Sequence, residues 1–217
     1  MDKIEVDLPD RRPDYGSRPL QRDSLDPDPL AQFHRWFEEA CGAGVAESNA
    51  MSIATVGEDG RPSLRMVLLK HYDAAGFVFY TNLESRKARE ISANGNVALL
   101  FFWQEMHRQV RIEGIAERIP IAETLRYFLR RPRDSQLGAW VSNQSQVISS
   151  RQVLEQKFAE MKRKFSAGEV PLPSFWGGYR VRHSAMEFWQ GRENRLHDRF
   201  LYSATGTGDW AISRLAP

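Results

Sequence analysis

The stretch Glu187-Phe188-Trp189-Gln190-Gly191-Arg192-Glu193-Asn194-Arg195-Leu196-His197-Asp198-Arg199 holds three arginines, a histidine and two aromatic rings in thirteen positions. A buried strand has no use for so many charges, because each would lose its water without gaining a counter-ion. A solvated face has little use for Phe188-Trp189 in its middle. Rings, permanent cations and hydrogen-bond donors at this density suit a planar, anionic ligand.

Groups suited to phosphate recur elsewhere. Arg65 and Lys70 flank Met66-Val67-Leu68-Leu69, Tyr80-Thr81 ends the next strand, and Ser85-Arg86-Lys87 opens a helix. A helix N-terminus supplies free N–H groups and a dipole that favours an anion. A second cluster is Tyr127, Arg131, Arg133 and Ser135, and a third is Gln144-Ser145. Each has a plainer reading: Arg86-Lys87 as a solvated helix end, Arg131 and Arg133 as a basic helix C-terminus. Arg65 and Lys70 are an odd number of residues apart, so strand alternation puts them on opposite faces. They serve different ligands, or a bulge intervenes, or one is a surface charge. The five histidines lack metal-ligand spacing, and neither a Gly-rich phosphate loop nor a nucleophile elbow is present.

These residues need a scaffold. The chain has 217 residues, enough for one sizeable domain or two small ones, and 30 Lys+Arg stand against 28 Asp+Glu, too even a balance for a nucleic-acid coat. The single cysteine, Cys41, excludes an intrachain disulfide and reads as a small hydrophobe on a buried helix face. No apolar run reaches the ~20 residues that span a bilayer, and the start lacks a signal-peptide core, so a cytoplasmic protein is expected.

Residues 1–26 are rich in Pro, Asp and Arg and read as a flexible arm; residues 27–217 read as one domain. Asp28-Pro29 caps a helix carrying Leu30, Phe33, Phe37 and Cys41. Strands follow at Met51–Val56, Leu64–Lys70 and Phe77–Tyr80, with turns at Glu58–Gly60 and Asp73–Gly76. A short helix begins after Ser85, and Val97–Trp103 with Gln109–Ile119 forms a hairpin. Helices return at Ile121–Arg130 and Ser150–Phe165. The last strands are Gly178–Arg182, Ala185–Trp189, Arg199–Tyr202 and Trp210–Leu215. Short connections impose antiparallel pairing. The expected fold is mainly β (α+β), an antiparallel sheet closed or nearly closed into a barrel with helices outside.

Taken together the motifs resemble the pyridoxine/pyridoxamine 5′-phosphate oxidase family, FMN enzymes of the split-barrel class. The segments that carry the resemblance are Arg65–Lys70, Phe79–Asn82, Ser85–Lys87, Arg131–Ser135, Gly138–Trp140, Gln144-Ser145, Phe175–Gly178 and Glu187–Arg199. It runs from about Pro27 to Pro217 and more faintly through Arg12 and Tyr15. The resemblance implies a homodimer with FMN at the subunit interface, held by Arg65, Met66, Val67, Leu68, Leu69, Lys70, Tyr80, Thr81, Arg86, Lys87, Gln109, Gln144, Ser145, Trp189 and Arg199. It implies a substrate phosphate on Lys70, Tyr127, Arg131 and Ser135, with Arg195 and His197 against the substrate ring and Arg12 and Tyr15 in a closing arm.

The implied reaction oxidises C4′ of pyridoxine or pyridoxamine 5′-phosphate to pyridoxal 5′-phosphate, with O2 reduced to H2O2. Arg195 and His197 are the catalytic candidates, since a flat, permanently charged guanidinium can lie over a pyridine ring. His197 would share its strand face if the segment is extended. The competing readings are an ion pair of Arg195 with Glu193 or Asp198 and a structural hydrogen bond for His197. Another split-barrel reductase has no need of Tyr127, Arg131, Ser135, Arg195 and His197 together. A non-enzymatic flavin or pyridoxal phosphate binder is separated by an oxygen-consumption assay.

Overall fold

The computed structural model describes residues 19–141, 143–206 and 208–217. Arg12, Tyr15 and the expected arm before residue 19 lie outside them. The rest of that arm is docked: Leu20 and Leu25 are buried, the Leu20 amide donates to Asp198 (3.0 Å), and the Tyr202 hydroxyl donates to the Asp26 carbonyl (2.7 Å).

Helix α1 (Pro29–Gly42) starts as its sequence dictates, with Asp28 accepting from the Leu30 amide and proline in the first turn. It buries Phe33, Trp36 and Ala40. Cys41 is exposed, contrary to expectation, because it stands one residue (about 100° of helix) beyond Ala40 and off the buried stripe. The strands are β1 (Ala50–Val56), β2 (Pro62–Leu68), β3 (His71–Asp73), β4 (Gly76–Asn82), β5 (Asn96–Trp103), β6 (Arg108–Arg118), β7 (Trp176–Gln190), β8 (Asp198–Ala204) and β9 (Trp210–Leu215). Helices α2 (Arg86–Ala93), α3 (Ile121–Leu129), α4 (Arg133–Val141) and α5 (Arg151–Lys164) complete the described chain. None is long and apolar enough to cross a membrane.

All nine strands form one antiparallel sheet in the order β2-β1-β5-β6-β7-β4-β3, with β8 on β7 and β9 on β8. The sheet curls until β2 comes near β4, which leaves a cleft between them. Three expectations change. The Asp73–Gly76 turn joins β4 to a short strand, β3, rather than to β2. Helix α4 was missed because its buried residues, Gln136, Leu137, Ala139 and Val141, make no apolar stripe, and Gly138 sits inside it. The two expected strands Gly178–Arg182 and Ala185–Trp189 are one strand, β7, whose first half pairs with β4 and second half with β8.

What looked like a break is a bulge. Glu113 faces Ala185 and Gly114 faces His183, so Ser184 is left over and β7 bends there. Gly114 permits the bend: a Cβ on it would lie 2.1 Å from the Arg182 carbonyl oxygen. Register assigns the faces. Phe188 points into the core, edge-on to Trp36 (5.3 Å) and Tyr202 (5.4 Å), as its alternation with Trp189 predicts. The opposite face carries Leu64 (67% exposed), Met66 (61%) and Phe102 (56%). A second cluster, Phe128, Leu137, Val170 and Trp176, joins the helices to the start of β7.

Replacing Gly114 by alanine should cost about 3 kcal/mol through overpacking at the bulge. Chemical denaturation of the variant checks this, and an unchanged midpoint would show that the bulge relaxes freely.

Candidate active site

The cleft has a volume of about 640 Å³ and lies between the ends of β2 and β4, with α2, α3 and α4 around it. Met66, Val67, Leu68 and Lys70 form one wall. Tyr80, Thr81 and Lys87 line it from β4 and α2, and Tyr127, Arg131, Ser135 and Gln144 from the helical side. The parity of Arg65 and Lys70 holds. Lys70 is exposed and lines the cleft, whereas Arg65 turns inward to the Thr55 and Ser63 hydroxyls and lies 3.2 Å from Glu90. Leu69 is buried in the core, held by its backbone to Asn49, and so does not line the cleft.

At the head of α2 the structure gathers an anion seat. Lys87 is buried, and its Nζ donates to Gln144 Oε1 (2.7 Å) and Thr81 Oγ1 (3.1 Å). Among the described residues no carboxylate pairs with it. Burial, aided by the nearby Arg65 charge, lowers its pKa to about 8. Ser85 Oγ is buried and has no hydrogen-bond partner among the described residues. The Arg86 amide donates to Ser145 Oγ (3.3 Å), bringing the Gln144-Ser145 pair onto the helix start. A buried ammonium, a free hydroxyl and helix amides without a counter-ion make a donor set that fits a phosphate.

Across the cleft, Tyr80 stacks on Tyr127 (centroids 4.0 Å, 8°) and on Trp176 (5.2 Å, 4°). Gly178 opens the place for this stack, because a Cβ there would come within 2.8 Å of the Tyr80 ring. Burial, reinforced by Glu123, pushes the Tyr80 hydroxyl up to about 12, so it stays a donor at neutral pH. The Arg131 guanidinium lies 4.7 Å above the Trp176 ring, and its buried Nη1 has no partner among the described residues. Burial pulls its pKa down. Arg133, grouped with Arg131 on sequence, points elsewhere: it ties α4 to the Phe165 and Gly168 carbonyls.

The remaining candidates stand apart. Gln109, Trp189 and Arg199 are direct neighbours across β6, β7 and β8, on the outer face of the sheet. They lie at the half of β7 that pairs with β8, beyond the bulge from the half that pairs with β4 and borders the cleft. Glu187 grips the Arg199 side chain (2.8 Å), as does the Ala216 carbonyl (2.7 Å), and this pairing raises the Arg199 pKa. His197 lies against Trp189 (4.7 Å), and its Nδ1 accepts from the Arg192 amide (3.0 Å), which assigns the proton to Nε2 in the neutral ring. Burial, then the Arg195 charge, lowers its pKa.

The segment is not extended, contrary to the strand-face expectation. Asn194 (φ 56°) and Arg195 (φ 61°) are left-handed inside a 3-10 turn, Glu193–Arg195. Arg195 is exposed and makes no ion pair among the described residues, and Asp198 binds Arg214 (2.7 Å) instead.

Two participants were missed on sequence. Glu90 is buried beneath the seat and touches both Arg65 and Arg86. Its signal was the Arg86–Glu90 helical spacing together with inward Thr55 and Ser63. Trp176, which lines the cleft beneath Tyr80 and Arg131, has no sequence signal of its own beyond the Phe175–Gly178 motif.

A lysine with a lowered native pKa penalises the folded state fully below about pH 8 and is relieved between 8 and 10.5. Lys87→Met should therefore raise the melting temperature of the ligand-free protein by a few degrees at pH 7 and by less near pH 10. A loss at pH 7 would mean that the Thr81 and Gln144 bonds outweigh burial.

With this geometry in hand, comparisons with known proteins converge. A family model described as pyridoxamine 5′-phosphate oxidase matches residues 37–165, and one described as the pyridoxine 5′-phosphate oxidase C-terminal dimerisation region matches residues 176–217. A curated relative in Crocosphaera subtropica, named pyridoxine/pyridoxamine 5′-phosphate oxidase, is 57% identical over 98% of this chain and all of its own. One of the same name in Serratia proteamaculans is 54% identical over the whole of both chains. The crystal structure of PhzG from Burkholderia lata, in complex with tetrahydrophenazine-1-carboxylic acid, superposes with a TM-score of 0.86 at 30% identity, covering 93% of this chain and 99% of that one. A Nostoc punctiforme protein titled as pyridoxamine 5′-phosphate oxidase-related and FMN-binding shares the fold, with a TM-score of 0.71 at 14% identity, over 89% of this chain and all of that one. The chain belongs to the pyridoxamine 5′-phosphate oxidase family.

Proposed function

We propose that two copies of this chain form a homodimer that binds FMN at the subunit interface and oxidises pyridoxine or pyridoxamine 5′-phosphate to pyridoxal 5′-phosphate in the cytoplasm. The observation that carries this reading is the cleft with two separate anion positions, buried Lys87 on one side and Arg131 on the other. One suits the flavin phosphate and the other the substrate phosphate.

The placement of the candidate groups on two halves of the sheet supports a site built from two chains. The outer-face group of Gln109, Trp189 and Arg199 sits at the β8-paired half of β7, whereas the cleft of the same chain lies at the β4-paired half. In the proposed dimer a twofold partner supplies its own copy of the group to the first chain's cleft and receives the same in return, as an isologous interface requires. Exposed Leu64, Met66 and Phe102 on that face supply apolar area for the contact. The dimerisation region matched at residues 176–217 includes Trp189, Arg195, His197 and Arg199.

FMN, when bound, supplies the electron chemistry: it takes two electrons and a proton from C4′ and passes the electrons to O2, giving H2O2. The chain's residues bind and orient. Lys87, Thr81, Gln144 and the α2 amides hold the flavin phosphate, with Arg65 and Arg86 beside them. Met66, Val67, Leu68, Lys70, Tyr80 and Ser145 frame the flavin from one chain, and Gln109, Trp189 and Arg199 from the other. Arg131, Tyr127, Ser135 and Lys70 take the substrate phosphate. That anchor fixes the position of C4′, which is where binding energy turns into rate. Arg195 lies over the pyridine ring and His197 donates from Nε2. The amine substrate ends as aldehyde and ammonia after water adds to the imine.

The direct test is to purify the protein, look for a flavin spectrum, and assay peroxide and pyridoxal phosphate with each substrate. Arg195→Leu should retain flavin and lose at least about a hundredfold in kcat; unchanged turnover removes Arg195 from the mechanism. Arg131→Ala should mainly raise KM for the phosphorylated substrate, by tenfold or more on the scale of a lost charged hydrogen bond, about 1.5–3 kcal/mol. A KM that stays put locates the substrate phosphate elsewhere.

A further inference from the structure

Glu90 is the one buried carboxylate among the described residues that touches the cations of the anion seat. Its Oε2 accepts from Thr55 Oγ1 (2.5 Å) and Ser63 Oγ (2.5 Å) and lies 3.2 Å from Arg65 Nη2. Its Oε1 accepts from Arg86 Nε at 2.7 Å. Arg65 donates to both of those hydroxyls, so its fork is held by the same network that saturates the carboxylate. Burial opposes ionisation of Glu90, yet bonds from Ser63, Thr55, Arg86 and Arg65 outweigh it and bring its pKa to about 2. The group is anionic at every working pH.

We propose that Glu90 is a positioning residue for the flavin phosphate, fixing Arg65 and Arg86 on either side of the α2 head and setting the net charge of the seat. The inference rests on reading the Lys87, Thr81 and Gln144 pocket as the phosphate site. Arg65, Arg86 and Lys87 are three cations, and one carboxylate leaves a surplus of two. A phosphomonoester carries nearly two negative charges at neutral pH, so phosphate and seat neutralise each other. Without Glu90 the Arg65 and Lys87 charges repel each other where little water screens them. Arg86, whose side chain is 58% exposed, then has no reason to stay by the helix head. Glu90 also links the two elements that carry the arginines, since Thr55 and Ser63 lie on β1 and β2 while Glu90 and Arg86 lie on α2.

The test compares FMN with riboflavin, which lacks the phosphate, by quenching of flavin fluorescence on the ligand-free protein. Glu90→Gln should lower the preference for FMN over riboflavin by about tenfold, the scale of a lost charge-assisted hydrogen bond, with riboflavin affinity little changed. A role confined to holding the fold together would weaken both flavins alike and leave the ratio unmoved. That result, or a raised ratio, overturns the proposal. Glu90→Asp keeps the charge with a shorter reach and carries the test should Glu90→Gln fail to fold. It should lose the preference severalfold, and an unchanged ratio counts against the proposal. Lys87→Ala separates the two levels. A preference that survives Lys87→Ala shows that the phosphate sits elsewhere. A preference lost in Lys87→Ala but kept in Glu90→Gln leaves the seat standing and removes Glu90 from it.

Discussion

The molecule depends on one strand being shared. β7 pairs with β6 along nearly its whole length, and its other edge is divided between β4 and β8. A straight strand cannot serve both neighbours in a curled sheet, so the bulge at Ser184 and the missing side chain at Gly114 are what let one strand belong to two halves. The β4 half carries the cleft, and the β8 half carries Trp189, His197 and Arg199. Strain at this point would therefore move both sets of functional groups at once.

Much of this was legible in the residues because local rules and the tertiary fold agree. Asp28-Pro29 capped a helix where a cap was expected. The odd spacing of Arg65 and Lys70 predicted two directions, and the side chains take them. Phe188 and Trp189 alternate across the sheet as any strand requires. Failures occurred where a tertiary demand overrode a local signal. Polar His183-Ser184 reads as a break between two strands but is a bulge within one, stabilised by pairing with a strand that precedes it by more than sixty residues. Helix α4 has no stripe, because it is wedged between two helices and a sheet end and buries polar Gln136 against α3 carbonyls. Asn194 gave a hint of the left-handed turn that lifts Arg195 out of the strand, since Asn adopts that conformation more readily than most residues.

The site residues divide by how much of their role is local. Motif residues such as Ser85-Arg86-Lys87 announce a helix head, and the structure adds only the partners. Glu90 announces only a helical spacing from Arg86, and a glutamate four residues after an arginine is ordinary on any helix. Its burial beside two hydroxyls and a second arginine gives it meaning, and all of those come from other strands. Arg131 is similar: its cationic face rests on Trp176, a residue from the far end of the helical insertion. The electrostatics of the cleft are thus assembled by long-range pairing, while its individual donors are supplied by short motifs.

The pairing of Phe77 with Val181 also bears on how the protein is made. These partners are about a hundred residues apart, and the helices α3 to α5 lie between them. On the ribosome the first half of the sheet, β1 to β6, can pair from local hairpins, but β4 waits with an open edge until β7 has emerged. High contact order of this kind slows folding and leaves hydrogen-bonding edges exposed meanwhile. Nascent chains halted before residue 176 would present the apolar residues of β4, Phe77, Val78 and Phe79, to whatever chaperone or neighbour is near. The strand that unites the two halves is also the last large piece the fold must wait for.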